Sequence, residues 1–400
     1  MRGQWIPLTV TLAIQAMVAM AVLTLPVMAP AVAQALGASA AYAGVYVAIV
    51  YAGGMAASLA GGTAVARWGA IRVSQAGLVL CAAGLALCAV PSLAAMALGA
   101  FLIGLGYGPI TPASSHLLAR TTPAHRMSLV FSIKQTGVPL GGVLAGAIVP
   151  GVAVVAGWQG ALLLAAAGNL VCALIAQPLR PALDEDRDPR RPLVPGSLAQ
   201  PIRVVLSHPA LRMLAGCSFV FSIAQLSLTT YLVTYLHVTL AYTLVEAGLA
   251  LSVAQAGGMV GRVLWGWVAD RWSGARRVLS ALAVLMALSA VATAVLQPGT
   301  HYLLVLAVLV VFGASAIGWN GVYLAEVARQ APPGLASVAT GGTLAITFFG
   351  VVLGPPAFGA MVGLFGTYRA SFALLAVPTL LCGLVLLQGA RGRAAEVRAP

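Results

Sequence analysis

The chain has 400 residues, of which 61% are hydrophobic and only 7% are charged. So apolar a chain cannot place its hydrophobic side chains in the core of a water-soluble domain, which excludes an ordinary soluble protein and predicts a membrane protein. The net charge of +13 does not indicate a nucleic-acid partner, because the basic residues are spread along the chain and do not form one cluster.

Apolar runs of about 18 to 28 residues recur along the chain, and each is long enough to cross a hydrocarbon core of about 30 Å as a helix. They predict an all-α membrane protein with twelve transmembrane helices. The predicted spans are residues 6–34, 43–65, 73–90, 93–118, 128–150, 158–178, 211–236, 244–268, 278–296, 301–326, 337–363 and 370–388. The first run is too long for a signal-peptide core and is therefore predicted to be a span.

The basic residues indicate the orientation of these spans. If the N-terminus is cytoplasmic, all of the 21 Lys and Arg residues except Lys134, Arg262 and Arg369 lie on the cytoplasmic side. This positive-inside bias predicts a multi-pass protein of a bacterial-type inner membrane with both termini in the cytoplasm.

The longest polar segment divides the chain. Residues 179–208 are rich in proline and in charges of both signs, which predicts a solvated cytoplasmic linker. The linker separates an N-terminal six-helix bundle, residues 1–178, from a C-terminal six-helix bundle, residues 209–400.

The two predicted bundles are copies of one another. Six identical residues recur in the same order around the ends of spans two and eight, namely Gly53, Gly54, Met55, Gly62, Arg67 and Trp68 against Gly257, Gly258, Met259, Gly266, Arg271 and Trp272. Internal duplication of membrane helices is typical of secondary transporters, in which the substrate binds between the repeats near the middle of the membrane.

The loop after span eight carries a spaced set of small and charged residues, Gly266, Asp270, Arg271, Gly274, Arg276 and Arg277. The loop after span two has Gly62, Arg67, Gly69 and Arg72, with Ala66 in place of the aspartate. These loops resemble the signature of the major facilitator superfamily. The resemblance implies two pseudo-symmetric six-helix bundles, alternating access, and gating by the loop residues and an acidic partner, which are Asp270, Arg271, Arg276, Arg277, Glu326, Arg67 and Arg72.

Two basic residues lie within predicted spans. Lys134, which is the only lysine, lies about 12 Å inside span five by helical rise, and Arg262 lies at a similar depth in span eight. A charge at this depth is costly unless it faces water or a partner. Spans five and eight face each other in the family, so both cations are expected to attract an anionic substrate. The alternative is that either side chain snorkels to the inner surface.

Other polar residues near the middle of the spans are expected to bind substrate, or else to form hydrogen bonds between helices. They are Gln15, Tyr107, Gln135, Gln225, Tyr231, Gln255, Trp319 and Asn320. No Asp or Glu lies at this depth, which disfavours a cationic substrate. Arg262 is similar to the span-eight arginine of monocarboxylate and oxalate carriers, although the span-eleven lysine of the oxalate type is absent.

The sequence therefore predicts a secondary active transporter of a small, carboxylate-bearing anion that works as a monomer in the lipid bilayer, by proton symport or anion exchange. A proton-driven multidrug efflux pump and a membrane receptor that binds its ligand without moving it are the alternatives. No nucleotide loop, metal spacing or nucleophile–base pair is evident, so we expect neither an enzyme nor a cofactor, a metal or a nucleic-acid partner.

Overall fold

A computed structural model describes residues 5–123, 126–193, 196–197, 199–333 and 335–396 of the protein. These residues form α-helices joined by short loops, 3-10 turns and one π-helical turn, and they contain no strand. The helices are α1 Trp5–Val27, α2 Ala29–Leu36, α3 Ala43–Trp68, α4 Ala70–Cys88, α5 Leu93–Tyr107, α6 Ile110–Thr121, α7 Met127–Gln135, α8 Gly137–Ala176, α9 Arg180–Leu183, α10 Ala199–Ser207, α11 Pro209–Leu240, α12 Leu244–Val268, α13 Ala275–Val295, α14 Tyr302–Ala316, α15 Asn320–Gln330, α16 Ala336–Phe365 and α17 Tyr368–Glu396.

Eleven helical segments of the described chain are long and apolar enough to cross a membrane. One of them, Leu129–Leu183, has 55 residues and holds two predicted spans. The prediction of an all-α membrane fold is therefore confirmed. The predicted cytoplasmic termini fall on residues 1–4 and 397–400, which lie outside the described residues.

The predicted spans 128–150 and 158–178 leave residues 151–157 as a loop, and this prediction is wrong because α8 continues through residues 151–156. Residues 152–156 are alanine and valine, and none of them interrupts a helix. The chain reverses at Gly157 alone, whose φ of 74° is open to glycine and strained for other residues.

Several spans are interrupted near their middle. Pro109 separates α5 from α6, because proline has no N–H to continue the helical hydrogen bonds. Thr136 separates α7 from α8, and a short non-helical stretch, residues 317–319, separates α14 from α15. These interruptions leave backbone groups that a continuous helix would have satisfied.

Glycines bring pairs of helices into backbone contact at equivalent places of the repeat. In the first copy a Cβ on Gly104 would overlap the carbonyl of Val50, so α5 packs directly on α3. In the second copy a Cβ on Gly313 would overlap the carbonyl of Ala254, so α14 packs directly on α12. Contact of this kind replaces the hydrophobic effect, which does not hold helices together within lipid.

The chain divides into two compact units, Met1–Gly196 with Tyr242–Ser252, and Ser197–Ala241 with Val253–Pro400. The start of α12 belongs to the first unit because of a small-residue contact with α8. A Cβ on either Gly146 or Gly248 would overlap the carbonyl of the other, and the Ser252 hydroxyl donates to the Val143 carbonyl at 2.8 Å.

Most described residues of the linker are exposed, as its charges predict, but two of its carboxylates contact the helices of the first unit. Within the first unit, Asp184 is only 2% exposed. Asp186 forms an ion pair with Arg120, with 2.6 Å between Oδ1 and Nη1, and its Oδ2 lies 2.6 Å from His116 Nε2. Burial opposes ionisation of Asp186, but the hydrogen bond with His116 and the charge of Arg120 outweigh it, so the pKa of Asp186 lies below its ordinary value. Within the second unit, α10 packs against α16.

Asp184 caps a membrane helix from a distant part of the sequence. Its two carboxylate oxygens accept hydrogen bonds from the backbone N–H groups of Ile71 at 2.7 Å and Arg72 at 2.9 Å, in the first turn of α4. These groups have no partner within the helix, and a carboxylate also interacts favourably with the helix dipole. Gly69, with φ 94°, makes room for it, since a Cβ there would overlap the Asp184 side chain.

Replacement of Asp184 by alanine should destabilise the first unit. The change Asp184→Ala removes the acceptor of the buried N–H of Ile71 and of the partly buried N–H of Arg72, and we expect a loss of about 1–2 kcal/mol. Thermal unfolding of the purified full-length protein measures the change. The control is Asp188→Ala, which removes an exposed carboxylate that accepts a hydrogen bond only from the nearby N–H of Arg190. Equal melting temperatures for the two variants would contradict the capping role.

Candidate functional site

Lys134 is a buried cation, with only 1% of its surface exposed. It lies in the last turn of α7, about 12 Å beyond Arg126, and the helix ends at the break at Thr136. The C-terminal end of a helix carries partial negative charge, which lowers the cost of a cation there. Gln135, the last residue of α7, is half-buried beside it.

Gln15 lies in the same unit and is also buried. A Cβ on Gly137 would lie only 2.9 Å from the Gln15 Cβ, so the glycine that begins α8 lets α1 pack closely. The Thr111 hydroxyl donates to Gln15 Oε1 at 3.5 Å. The other end of the amide, Nε2, is buried and has no hydrogen-bond partner among the described residues. A buried donor without a partner is a candidate ligand contact.

Tyr107 ends α5, immediately before the interruption at Pro109. Its ring packs edge-on against Tyr51, with 5.7 Å between the ring centroids. Three predicted site residues of the first unit, Tyr107, Lys134 and Gln135, therefore stand at helix ends within spans.

Arg262 stands against a helix end in the second unit. Its Nε donates to the carbonyl of Ile317 at 3.2 Å, and Trp265, one turn further along α12, donates from Nε1 to the carbonyl of Ala314 at 2.8 Å. Both carbonyls belong to the C-terminal end of α14 and its break, where helical hydrogen bonding stops. The guanidinium is half-buried, and at least one of its donors serves this capping.

Three other predicted residues of the second unit form one cluster. The side-chain oxygen of Gln225, Oε1, accepts hydrogen bonds from Trp319 Nε1 at 3.0 Å and from Asn320 Nδ2 at 3.4 Å. Trp319 is buried against Phe221, whereas Gln225 and Asn320 are partly exposed. The cluster holds the start of α15 against α11 and presents amide groups at the break in span ten.

Two predicted residues have surroundings typical of the core. Tyr231 is fully buried, its hydroxyl donates to the Pro355 carbonyl at 2.9 Å, and its ring stacks on Phe358 at 4.8 Å. This is the contact between helices that the alternative interpretation expected. Gln255 is buried on α12 next to Ala254, the residue that Gly313 contacts.

The predicted gating residues occupy different environments. Glu326 is buried and accepts hydrogen bonds from Arg276 at 2.9 Å and Gln330 at 2.7 Å, and it forms an ion pair with Arg329 at 3.2 Å. Asp270 and Arg271 are exposed in the π-helical turn Ala269–Ser273, and Arg277 is exposed on α13. Arg67 lies over the Trp68 ring at 5.8 Å, and Arg72 is exposed on α4. Their gating role stays a prediction.

Sequence reasoning missed Asp184 and Trp265. Asp184 lies 113 residues from the backbone group that it caps, and no local pattern distinguishes it from the other linker carboxylates. Trp265 had a signal, because it lies three residues after Arg262 and so on the same face of α12. Within the described part of the chain, no group of three or more His, Cys, Asp or Glu could hold a metal ion.

Long apolar helices with buried basic and amide side chains at their interruptions define a multi-pass integral membrane protein. A family model described as Major Facilitator Superfamily matches residues 11–344, and the chain belongs to that family. The family and the named relatives below are transporters and not enzymes.

The chain is 25% identical over 293 residues to the gentisate transporter of Corynebacterium glutamicum, which covers 72% of this chain and 65% of that protein. It is 28% identical over 358 residues to monocarboxylate transporter 11 of Mus musculus, covering 84% and 74% of the two chains. It is 23% identical over 309 residues to the benzoate transport protein of Acinetobacter baylyi, covering 70% and 66%.

Solved structures show the same fold. A POT family transporter in complex with 5-aminolevulinic acid superposes with a TM-score of 0.77 at 15% identity and 95% coverage of both chains. A bacterial homologue of the lysosomal transporter Spinster superposes with a TM-score of 0.73 at 15% identity and 96% coverage of both chains. At this identity the likeness concerns the fold alone.

Removal of the Glu326 charge should destabilise the second unit. In Glu326→Gln the side chain keeps its size, but Arg276 loses the carboxylate that it contacts in a mostly buried place. We expect a loss of about 1–3 kcal/mol, the usual contribution of a hydrogen bond to a charged group.

Thermal unfolding of the full-length protein measures this loss. Glu185→Gln removes the same charge from an exposed linker position and is the matched control. If Glu326→Gln unfolds at the same temperature as this control, the Glu326 ion pairs contribute nothing to stability.

Proposed function

We propose that the protein is a secondary transporter that moves a small organic anion with a carboxylate group across the membrane by alternating access. The observation that carries this proposal is Lys134, a basic side chain buried within a span. A cation held at this depth is costly and marks a substrate or ion pathway in most membrane proteins. A carboxylate substrate would supply the negative charge that Lys134 attracts.

The surroundings of Lys134 support an anion over a neutral hydrophobic compound. Gln15 in the same unit has a buried N–H donor without a partner among the described residues. A carboxylate only accepts hydrogen bonds, so a lysine and an amide donor are the groups that it requires. Gln135 at the end of α7 and Tyr107 at the end of α5 are the other proposed contacts of the first unit.

In the second unit, Arg262 and the cluster of Gln225, Trp319 and Asn320 stay predicted substrate contacts. Arg262 brings positive charge, and Asn320 is a partly exposed amide at the break between α14 and α15. We assign Gln255 a supporting place on α12 and leave Tyr231 out of the site, because its hydroxyl serves Pro355.

The named relatives support the same class of substrate. Gentisate, benzoate and monocarboxylates all carry a carboxylate group, and the matches to these transporters span most of this chain. The chain spans 65% of the gentisate transporter, so the substrate is part of the proposal and is not fixed by the likeness. Transport would be driven by a co-transported proton or by exchange of one anion for another, with the loop arginines, Asp270 and Glu326 acting as gates.

Uptake into proteoliposomes tests the proposal. Radiolabelled benzoate, gentisate and lactate are offered to vesicles that hold the purified protein, with and without an inward pH gradient. We expect saturable uptake of at least one of these acids. The variants Lys134→Gln and Arg262→Gln should each lower kcat/KM for uptake by about 10- to 100-fold, because each removes a charged partner of a carboxylate.

Arg190→Gln removes an exposed positive charge from the linker and serves as the control. Melting temperatures show whether each variant is folded. Uptake at the wild-type rate by folded Lys134→Gln and Arg262→Gln proteins would remove these residues from the site. Saturable binding of an acid without uptake would show a receptor, and extrusion of hydrophobic dyes without acid uptake would show an efflux pump.

A further inference from the structure

The first unit has a cavity at the arginine-bearing ends of its helices. The cavity has a volume of about 530 Å³ and lies between α3, α4, the α5–α6 break and the linker. Four of its lining residues are arginines, Arg67, Arg72, Arg180 and Arg187, and none is acidic.

Part of this positive charge is neutralised. Arg180 Nε forms a long ion pair with Asp184 Oδ2 at 3.8 Å, and Nε is buried and has no hydrogen-bond partner among the described residues. Both oxygens of Asp184 already accept backbone N–H groups of α4. Arg72 and Arg187 are exposed at the rim of the cavity. Four guanidinium groups around one opening favour an anion with several oxygen acceptors.

The wall of the cavity is apolar in the direction of the membrane. Val73, Ala76 and Leu80 follow Arg72 along one face of α4, and Leu105 of α5 lies opposite. Leu80 is eight residues from Arg72, so the apolar wall reaches about 12 Å beyond the arginine along the helix axis. One ligand that meets the arginines and also covers this wall must be both anionic and hydrophobic.

We propose that this cavity binds an anionic phospholipid. The phosphate diester would contact Arg72, Arg180 and Arg187, and the first part of an acyl chain would lie along the face of Ala76 and Leu80. Basic pockets at the membrane surface bind lipid headgroups in this way. A free phosphate would leave the apolar wall uncovered, and a choline headgroup would place a cation among the arginines. The site lies within the first unit and is separate from Lys134.

Native mass spectrometry of the full-length protein in detergent tests the proposal. The probes are dioleoylphosphatidylglycerol, dioleoylphosphatidylcholine with the same acyl chains, and glycerol 3-phosphate, a phosphate monoester without acyl chains. We expect one phosphatidylglycerol per protein at concentrations where phosphatidylcholine does not bind and where glycerol 3-phosphate does not compete.

The variant Arg72→Gln with Arg187→Gln should weaken phosphatidylglycerol binding about 25-fold, or about fivefold for each arginine. The matched control is Arg190→Gln with Arg203→Gln, which removes two exposed arginines outside the cavity and should leave binding unchanged. If the double variant fails to fold, Arg187→Gln alone, on the exposed linker, should still weaken binding about fivefold.

Three results would overturn the proposal. Equal binding of phosphatidylcholine would show that the headgroup charge is not recognised. Competition by glycerol 3-phosphate as strong as by phosphatidylglycerol would show a site for a free phosphate ester. Equal weakening by the two pairs of substitutions would show a general attraction to a basic surface and no defined site.

Discussion

Inside a hydrocarbon layer every polar group has to find its partner within the protein, since water is absent. The interruptions of the spans are where this requirement is hardest to meet, because helical hydrogen bonding stops there. In the second unit the side chains of Arg262 and Trp265 serve the carbonyls at the end of α14. In the first unit Lys134 lies at the end of α7. The buried Lys134 and the half-buried Arg262 therefore both lie at interruptions of spans.

This placement explains how the spans hold positive charge although the sequence offers no carboxylate at the same depth. The C-terminal end of a helix carries about half a negative charge, which offsets part of the cost of a nearby cation. The proposed binding of an anionic substrate relies on the positive charge that these two side chains bring to the interrupted spans.

At the arginine-bearing ends the two copies of the repeat satisfy equivalent groups by different means. In the second unit Glu326 of α15 forms ion pairs with Arg276 and Arg329. In the first unit the linker supplies the carboxylates. Asp186 forms an ion pair with Arg120, and Asp184 accepts hydrogen bonds from the first turn of α4. Asp184 lies near the place where the first loop has lost the aspartate of its signature at Ala66. The four arginines of the nearby cavity outnumber this one carboxylate, and a phospholipid headgroup would contact the remaining positive charge.

The sequence by itself determined the approximate positions of the spans, the duplication, the family and the identity of the two cations within the spans. These features are local, because the length of an apolar run and a charge within it follow from neighbouring residues alone. Only the tertiary structure decided that Tyr231 belongs to the core, that Gln225, Trp319 and Asn320 form one cluster, and that the linker binds α4. These contacts join residues about a hundred positions apart, and they depend on which helix faces pack together, for example where Gly69 leaves room for Asp184.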